Sequence, residues 1–254
     1  IAKLKDIIAV SPVKPWNILA ITFTNKAAGE LRTRLSNILG EDDAREINAA
    51  TFHSACVRIL RREIDKLGYS NSFTIYDSDD SQRVIKSCLS DLNVSEQQFP
   101  PKAILSSISK AKDNMLFPED IEASVGGDFR KSIISKVYTE YQKRLKNSNA
   151  LDFDDIIMLT VQLFIDFPDV LEYYQNRYRY ILVDEYQDTN HAQFKLVSLL
   201  ASEHNNLCVV GDDDQSIYKF RGATIENILN FENQFENTVV IHLEQNYRST
   251  QRIL

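Results

Sequence analysis

Asn17-Ile18-Leu19-Ala20-Ile21-Thr22-Phe23 is an almost unbroken apolar run that breaks into Thr24-Asn25-Lys26. A strand with one face in water alternates apolar and polar residues, so a run like this reads as a strand covered on both faces, the habit of parallel sheets. The pattern recurs three times. Tyr180-Ile181-Leu182-Val183 ends at Asp184, Leu207-Cys208-Val209-Val210 ends at Gly211, and Val239-Val240-Ile241-His242-Leu243 ends at Glu244. Helical spacing fills the intervals. Ala27, Ala28, Leu31, Leu35, Ile38 and Leu39 share one face, with Thr24 or Asn25 as N-cap and Gly40 as C-cap. Phe52, Cys56, Ile59, Leu60, Ile64 and Leu67 repeat that spacing and stop at Gly68. Strand alternating with helix predicts βαβ units, hence an α/β fold with a parallel sheet flanked by helices. Ligands of such folds sit beyond the carboxyl ends of the strands. Those ends carry Thr22-Phe23-Thr24-Asn25, Asp184-Glu185, Gly211-Asp212 and Glu244-Gln245-Asn246.

Between Tyr76 and Asp152 the strand signal gives way to helical spacing: Val84, Ile85, Cys88 and Leu89 behind an Asp77-Ser78-Asp79-Asp80 cap, then Ile104, Leu105 and Ile108, then Ile133, Ile134, Val137 and Tyr141. Pro100-Pro101, Phe117-Pro118 and Gly126-Gly127 punctuate the stretch. We therefore expect residues 1–76 and 153–254 to form the α/β unit and residues 77–152 an all-helical insertion within it. No internal repeat is visible.

The composition narrows the class. With 254 residues, 43% of them hydrophobic, the chain has ample material for a core of one large domain or two modest ones. Seven Gly and six Pro exclude collagen-like and low-complexity chains, and three Cys cannot close a paired disulfide framework. A reducing cytoplasm is the compartment expected. No apolar run approaches the roughly 18 residues of a membrane span, and Ile1-Ala2-Lys3-Leu4 does not open like a signal peptide. A net charge of -7 excludes a uniformly basic nucleic-acid coat, yet residues 101–150 hold nine Lys/Arg against six Asp/Glu, a local +3. That excess suits either a local polyanion contact or an ordinary solvated helical surface.

Tyr180-Ile181-Leu182-Val183-Asp184-Glu185 is an apolar strand delivering two carboxylates at its tip, an arrangement suited to a hard divalent cation and to polarising a water. An acidic residue also ends many buried strands for solvation alone. The continuation, Asp184-Glu185-Tyr186-Gln187-Asp188-Thr189-Asn190, is a polar string that packing does not require. Further on come Val209-Val210-Gly211-Asp212-Asp213-Asp214-Gln215-Ser216-Ile217-Tyr218-Lys219-Phe220-Arg221-Gly222-Ala223 and Leu243-Glu244-Gln245-Asn246-Tyr247-Arg248-Ser249-Thr250. With Ile21-Thr22-Phe23-Thr24-Asn25-Lys26-Ala27-Ala28, Ala50-Thr51-Phe52-His53-Ser54 and Leu151-Asp152-Phe153-Asp154-Asp155, the chain resembles superfamily 1 DNA helicases of the UvrD/Rep/PcrA type. The blocks follow the family's order and span nearly the whole chain.

The resemblance implies a RecA-like P-loop NTPase fold and a role for each matching position. Asp184 would hold Mg²⁺ and Glu185 would orient or deprotonate the water that attacks the γ-phosphate of ATP. Gln215 would sense that phosphate, Arg248 would set a permanent planar cation against it, and Tyr247 would lie on the adenine ring. Thr22, Phe23, Asn25, His53, Tyr218, Phe220 and Arg221 would contact single-stranded DNA, aromatic faces suiting any base. Many relatives have Trp where Phe220 stands, so stacking there is expected to be weaker. Plainer roles stay open: Phe23 as the last core residue of its strand, His53 as a cap, and Asp212-Asp213-Asp214 as a turn cluster. Cys56, Cys88 and Cys208 read as core residues.

No Gly-x-x-x-x-Gly-Lys-Ser/Thr loop occurs in the 254 residues. The resemblance places that loop just before Ile1 and a second motor domain after Leu254. The expectation is therefore a helicase-motor fragment, inactive alone as an ATPase. Its parent would unwind duplex 3′ to 5′ from single-stranded DNA or duplex junctions in repair or replication, with repair or replication proteins as partners and no membrane. Two rivals are a metal-dependent nuclease on Asp184, Glu185, Asp212 and Asp214, and a non-catalytic relative that binds DNA or a partner.

Overall fold

A computed structural model describes residues 13–215, 226–229, 231–235 and 237–242. Strand β1 (Ile18–Thr22) is buried along its whole length. Helix α1 (Asn25–Leu39) follows, opened by Thr24, whose hydroxyl accepts the Ala27 N–H at 3.1 Å, and closed at Gly40 with φ 90°. After the short α2 (Glu41–Glu46), strand β2 (Asn48–Thr51) leads into α3 (Phe52–Glu63), capped by the Thr51 hydroxyl on the Ser54 N–H. The helical run continues as a 3-10 turn, Ile64–Leu67, and ends at Gly68 in the left-handed conformation that glycine adopts most easily.

The middle of the chain runs through β3 (Thr74–Ile75), α4 (Ser78–Asp91), α5 (Pro101–Asp113), α6 (Pro118–Ala123), α7 (Phe129–Asn147) and β4 (Ala150–Leu151). Asp77 and Asp80 form a capping box on α4, and Pro101 and Pro118 open α5 and α6, where the missing N–H costs nothing. One expectation needs correction, because this segment is not wholly helical. Ala150–Leu151 pairs in parallel with Thr74–Ile75, with the Tyr76 N–H donating to the Leu151 carbonyl at 2.8 Å. Two-residue strands leave no hydrophobic period to read. A separate core gathers here around Ile85, Leu89, Ile108, Val137, Tyr141 and Leu145.

The remainder is α8 (Phe153–Asp166), α9 (Pro168–Arg177), β5 (Tyr180–Val183), α10 (His191–Ala201), β6 (Leu207–Val209) and two four-residue helices, α11 (Glu226–Leu229) and α12 (Phe231–Gln234). The strands form a parallel sheet in the order β2-β1-β5-β6. Side-chain alternation splits its two faces. Leu19, Ile21, Ile181 and Val183 join the larger core beneath α3, α8 and α10, while Ile18 and Ala49 pack with Leu35 and Ala44 of α1 and α2 on the other face. Helix α8 is buried on nearly every side, as a central helix must be.

Two differences from the sequence reading concern strands. Strand β2 went unforeseen, because Asn48-Ala49-Ala50-Thr51 lacks the large apolar side chains that mark a strand. The expected strand over residues 239–243 is not formed across its described part, 239–242, where Val239, Val240 and Ile241 are 80%, 49% and 71% exposed. An apolar run becomes a strand only beside a strand to pair with, and among the described residues β6 pairs with β5 alone.

Tyr186, in the turn after β5, is fully buried with its ring edge-on to Phe231 at 5.6 Å, and its hydroxyl has no partner among the described residues. Losing an unsatisfied hydroxyl removes a desolvation penalty. Tyr186→Phe should therefore leave stability unchanged or raise it by up to about 1 kcal/mol in urea unfolding; a clear loss would show that the hydroxyl is satisfied.

Candidate functional site

The ladder between β1, β5 and the chain after β6 continues one step past the strand ends. The Asp184 N–H donates to the Ile21 carbonyl at 3.0 Å, the Val210 N–H to Val183 at 2.8 Å, and the Tyr186 N–H to Val210 at 2.9 Å. Between these anchors Glu185 takes φ 52°, ψ 41°. A non-glycine residue in that region is uncommon and mildly strained, and the single left-handed residue swings the chain into a 3-10 turn, Tyr186–Asp188. Asp184 and Glu185 are thereby both exposed at the end of an inner strand.

Gln187, which is buried, joins this tip to the next. Its Nε2 donates to Glu185 Oε2 at 2.8 Å, and its Oε1 accepts the Asp212 N–H at 3.0 Å. Asp212 in turn accepts from Gln215 Nε2 and from the Asp214 N–H at 3.1 Å. Glu185 and Gln215, far apart in sequence, are thus ends of one hydrogen-bond chain across the tips of β5 and β6. The close approach needs Gly211. A Cβ there would meet Ile228 Cδ1 at 2.6 Å and Gln187 Oε1 at 2.7 Å. Sequence reasoning missed both Gln187 and Gly211, although both lie inside the polar motifs it quoted.

Partial loss of water, then the Glu185 charge beside it, raises the Asp184 pKa, and the same two causes raise Asp188. Two carboxylates side by side at a strand tip favour a cation that neutralises them. Among the described residues no cluster of three or more His, Cys, Asp or Glu side chains is placed to cage a metal. The donor set therefore fits Mg²⁺, which keeps several waters and takes phosphate oxygens, better than a cation held wholly by protein. That geometry gives the four-carboxylate nuclease site no support.

At the neighbouring tips, Thr22 is buried with its hydroxyl donating to the Thr24 carbonyl at 3.2 Å. Asn25 is exposed in the first turn of α1. Phe23 is half-buried and meets Phe52 edge-on at 5.5 Å, so its core role and an exposed edge coexist. The cap of α3 is Thr51 and not His53; the imidazole instead stacks on Phe153 with ring centroids 3.7 Å apart at 23°. Phe153 is 57% exposed, an aromatic ring that packing alone does not hold. Sequence reasoning quoted it without giving it a task; the available signal was a large ring in the first position of a helix, directly after its cap Asp152. Burial lowers the His53 pKa to about 4, leaving the ring uncharged near neutrality. Tyr218, Phe220, Arg221, Tyr247 and Arg248 lie outside the described residues.

A parallel sheet covered on both faces, with a carboxylate pair on an inner strand and a polar loop tied to it from the next, defines a RecA-like α/β domain. The chain belongs to the UvrD/REP helicase N-terminal domain family, which it matches over residues 1–236. It is 53% identical over 252 residues to the ATP-dependent DNA helicase PcrA of Bacillus subtilis, covering 99% of this chain and 34% of that protein. Identity to the PcrA proteins of Staphylococcus epidermidis and Staphylococcus aureus is 52% and 51% over 242 residues, 95% of this chain and 33% of each relative. The chain thus spans about a third of the length of these relatives.

Gly211→Ala should cost about 1–3 kcal/mol in urea unfolding through overpacking, and it should detach the Asp212 N–H from Gln187; an unchanged midpoint would mean the two tips are not tightly apposed. His53 yields a second test. Its folded pKa lies below the unfolded value of 6.5, so the unfolded chain binds the extra proton and stability from this site, full above pH 6.5, is lost as pH falls towards 4. His53→Gln should flatten the stability profile between those pH values.

Proposed function

We propose that this chain is the first motor segment of an ATP-dependent helicase that moves 3′ to 5′ along single-stranded DNA and opens duplex junctions in repair or replication in the cytoplasm. The observation that carries the reading is the hydrogen-bond chain Glu185–Gln187–Asp212–Gln215, which ties a base candidate to an amide candidate at one sheet edge. Asp184 is the Mg²⁺ ligand in this reading, and the bound ion supplies charge neutralisation to the phosphates. Glu185 orients the attacking water and accepts its proton; its left-handed backbone and the Gln187 amide hold the carboxylate in one attitude before ATP arrives. Gln215 contacts the γ-phosphate, and exchanging Asp212 for that phosphate as its partner is a movement that Gln187 passes back to Glu185. Tyr247 and Arg248 complete the nucleotide contacts.

Single-stranded DNA crosses the tips of β1 and β2 in this reading. Phe23, Asn25, Thr22 and the stacked pair His53–Phe153 face it, joined by Tyr218, Phe220 and Arg221, and the uncharged imidazole behaves as a flat ring. Residues 1–76 and 153–254 form the motor subdomain and residues 77–152 a helical subdomain, whose exposed bases between residues 101 and 150, such as Lys102, Lys110 and Lys131, face the phosphate backbone. Slow turnover by the 254 residues alone is expected, since they hold no phosphate-gripping loop.

In the full-length protein, Glu185→Gln should lower steady-state ATP hydrolysis by about 10²- to 10⁴-fold while fluorescent-nucleotide binding persists. Phe153→Ala should weaken oligo(dT) binding by about 1–3 kcal/mol without changing ATP binding. Full hydrolysis in the first variant would remove the carboxylate from its assigned role.

A further inference from the structure

Lys112, in the last turn of α5, has no exposed surface to speak of, at 1%, and the site described above gives it no task. Its Nζ lies 2.6 Å from Asp152 Oδ2 and 2.8 Å from Asp155 Oδ1. Tyr141 adds a hydroxyl donated to Asp152 Oδ2 at 2.9 Å, and Gln142 Nε2 donates to Asp155 Oδ1 at 3.1 Å. The two carboxylates also cap α8 reciprocally: Asp152 Oδ1 accepts the Asp155 N–H at 2.9 Å and Asp155 Oδ2 accepts the Asp152 N–H at 3.0 Å. The ammonium therefore grips both halves of a capping box from outside the helix. A buried charge cluster is a poor way to gain stability, since apolar replacements of the same volume often do better. What it fixes is geometry.

The first helical residue inside that box is Phe153, the exposed ring stacked on His53. Lys112 grips the cap residues Asp152 and Asp155 on either side of it. The anchor itself is fixed on the opposite side. Asp113, the next residue, accepts Nδ2 of Asn190, the N-cap of α10 just beyond the Asp184–Glu185 turn. The Tyr138 hydroxyl, on α7, donates to the Leu116 carbonyl at 3.1 Å.

We propose that Lys112 is a positioning residue for the His53–Phe153 pair: by holding both carboxylates of the α8 cap it sets the ring of Phe153 over the imidazole before any base arrives. The use of that pair by DNA rests on the function proposed above; the placement of the ring does not.

The test compares Lys112→Met with the neutral triple variant Lys112→Met/Asp152→Asn/Asp155→Asn in the full-length protein, because the single change strands two buried carboxylates and Asn caps a helix about as well as Asp. Thermal unfolding reports folding, NMR of ¹³C-labelled histidine reports the His53 titration, and oligo(dT) anisotropy reports DNA. In the folded triple variant the His53 midpoint is expected to climb from about 4 towards 6.5, with oligo(dT) affinity falling about fivefold. Leu145→Ala, which weakens the second core, should lower the melting temperature and leave that midpoint near 4. A folded triple variant whose His53 still titrates near 4 overturns the proposal. Movement of the midpoint in a protein that never binds oligo(dT) keeps Lys112 as the positioning residue and removes the DNA reading instead.

Discussion

Strands β1 and β5 lie side by side in parallel, with Ile18 opposite Tyr180 and Ile21 opposite Val183, although more than 150 residues separate them. Because side chains alternate with period two, a slip of one residue would send every apolar side chain to the wrong face. Leu19 and Ile181 would leave the larger core, and Ile18 would leave the smaller. The same register brings Thr22 and Asp184 to one level, where the Asp184 N–H closes on the Ile21 carbonyl. Thr22, Phe23, Asp184 and Glu185, four of the residues proposed to contact nucleotide or DNA, are built on that shared edge. The burial of two opposite faces thus fixes the position of groups that are not themselves buried.

Two polar assemblies work differently on this frame. At the sheet edge the Gln187 amide shares its two ends between adjacent strand tips, so Glu185 and Asp212 are oriented by a neutral group and stay open to solvent. Beneath α8 the assembly is charged and enclosed. Burial opposes the Lys112 charge, but Asp152 and Asp155 outweigh it and raise the Lys112 pKa, so the ammonium stays charged. Burial and the Asp152 carboxylate push Asp155 up to about 7, while the ammonium draws Asp152 below the usual carboxylate range against the effect of its own burial. One cation with two carboxyl groups is tolerable because the tyrosine hydroxyl, the glutamine amide and the backbone donors of the cap spread the excess.

The sequence carried the parts of this design that depend on local pattern. Unbroken apolar runs at 18–22, 180–183 and 207–209 have no comfortable home except a doubly covered sheet; Asp184 and Glu185 follow the second run directly, and Gln215 comes six residues after the third. What escaped notice depends on partners distant in the chain. The alanines of β2 are strand residues because β1 lies beside them, and Arg32 of α1 reaches across to bond the Ala49 carbonyl at 2.6 Å. The apolar run at 239–241 looked identical to a strand yet pairs with none among the described residues. Likewise His53 and Phe153 meet across exactly 100 positions, and nothing near either residue announces the other.

The order in which these pairings become available follows the ribosome. β1 and β2 emerge early, but β5 begins only at Tyr180, so at about 5–20 residues per second the inner strand of the sheet waits on the order of ten seconds for one of its neighbours. The ribbon of Thr74–Ile75 with Ala150–Leu151 and the core of Leu89, Tyr141 and Leu145, with the Asp152 and Asp155 carboxylates that partner Lys112, are complete by residue 155, so they are able to consolidate during that delay. Nascent chains in which Asp155 has cleared the ribosomal tunnel while β5 has not would then carry a finished helical lobe beside a strand still open along one flank, a natural point for a chaperone to engage.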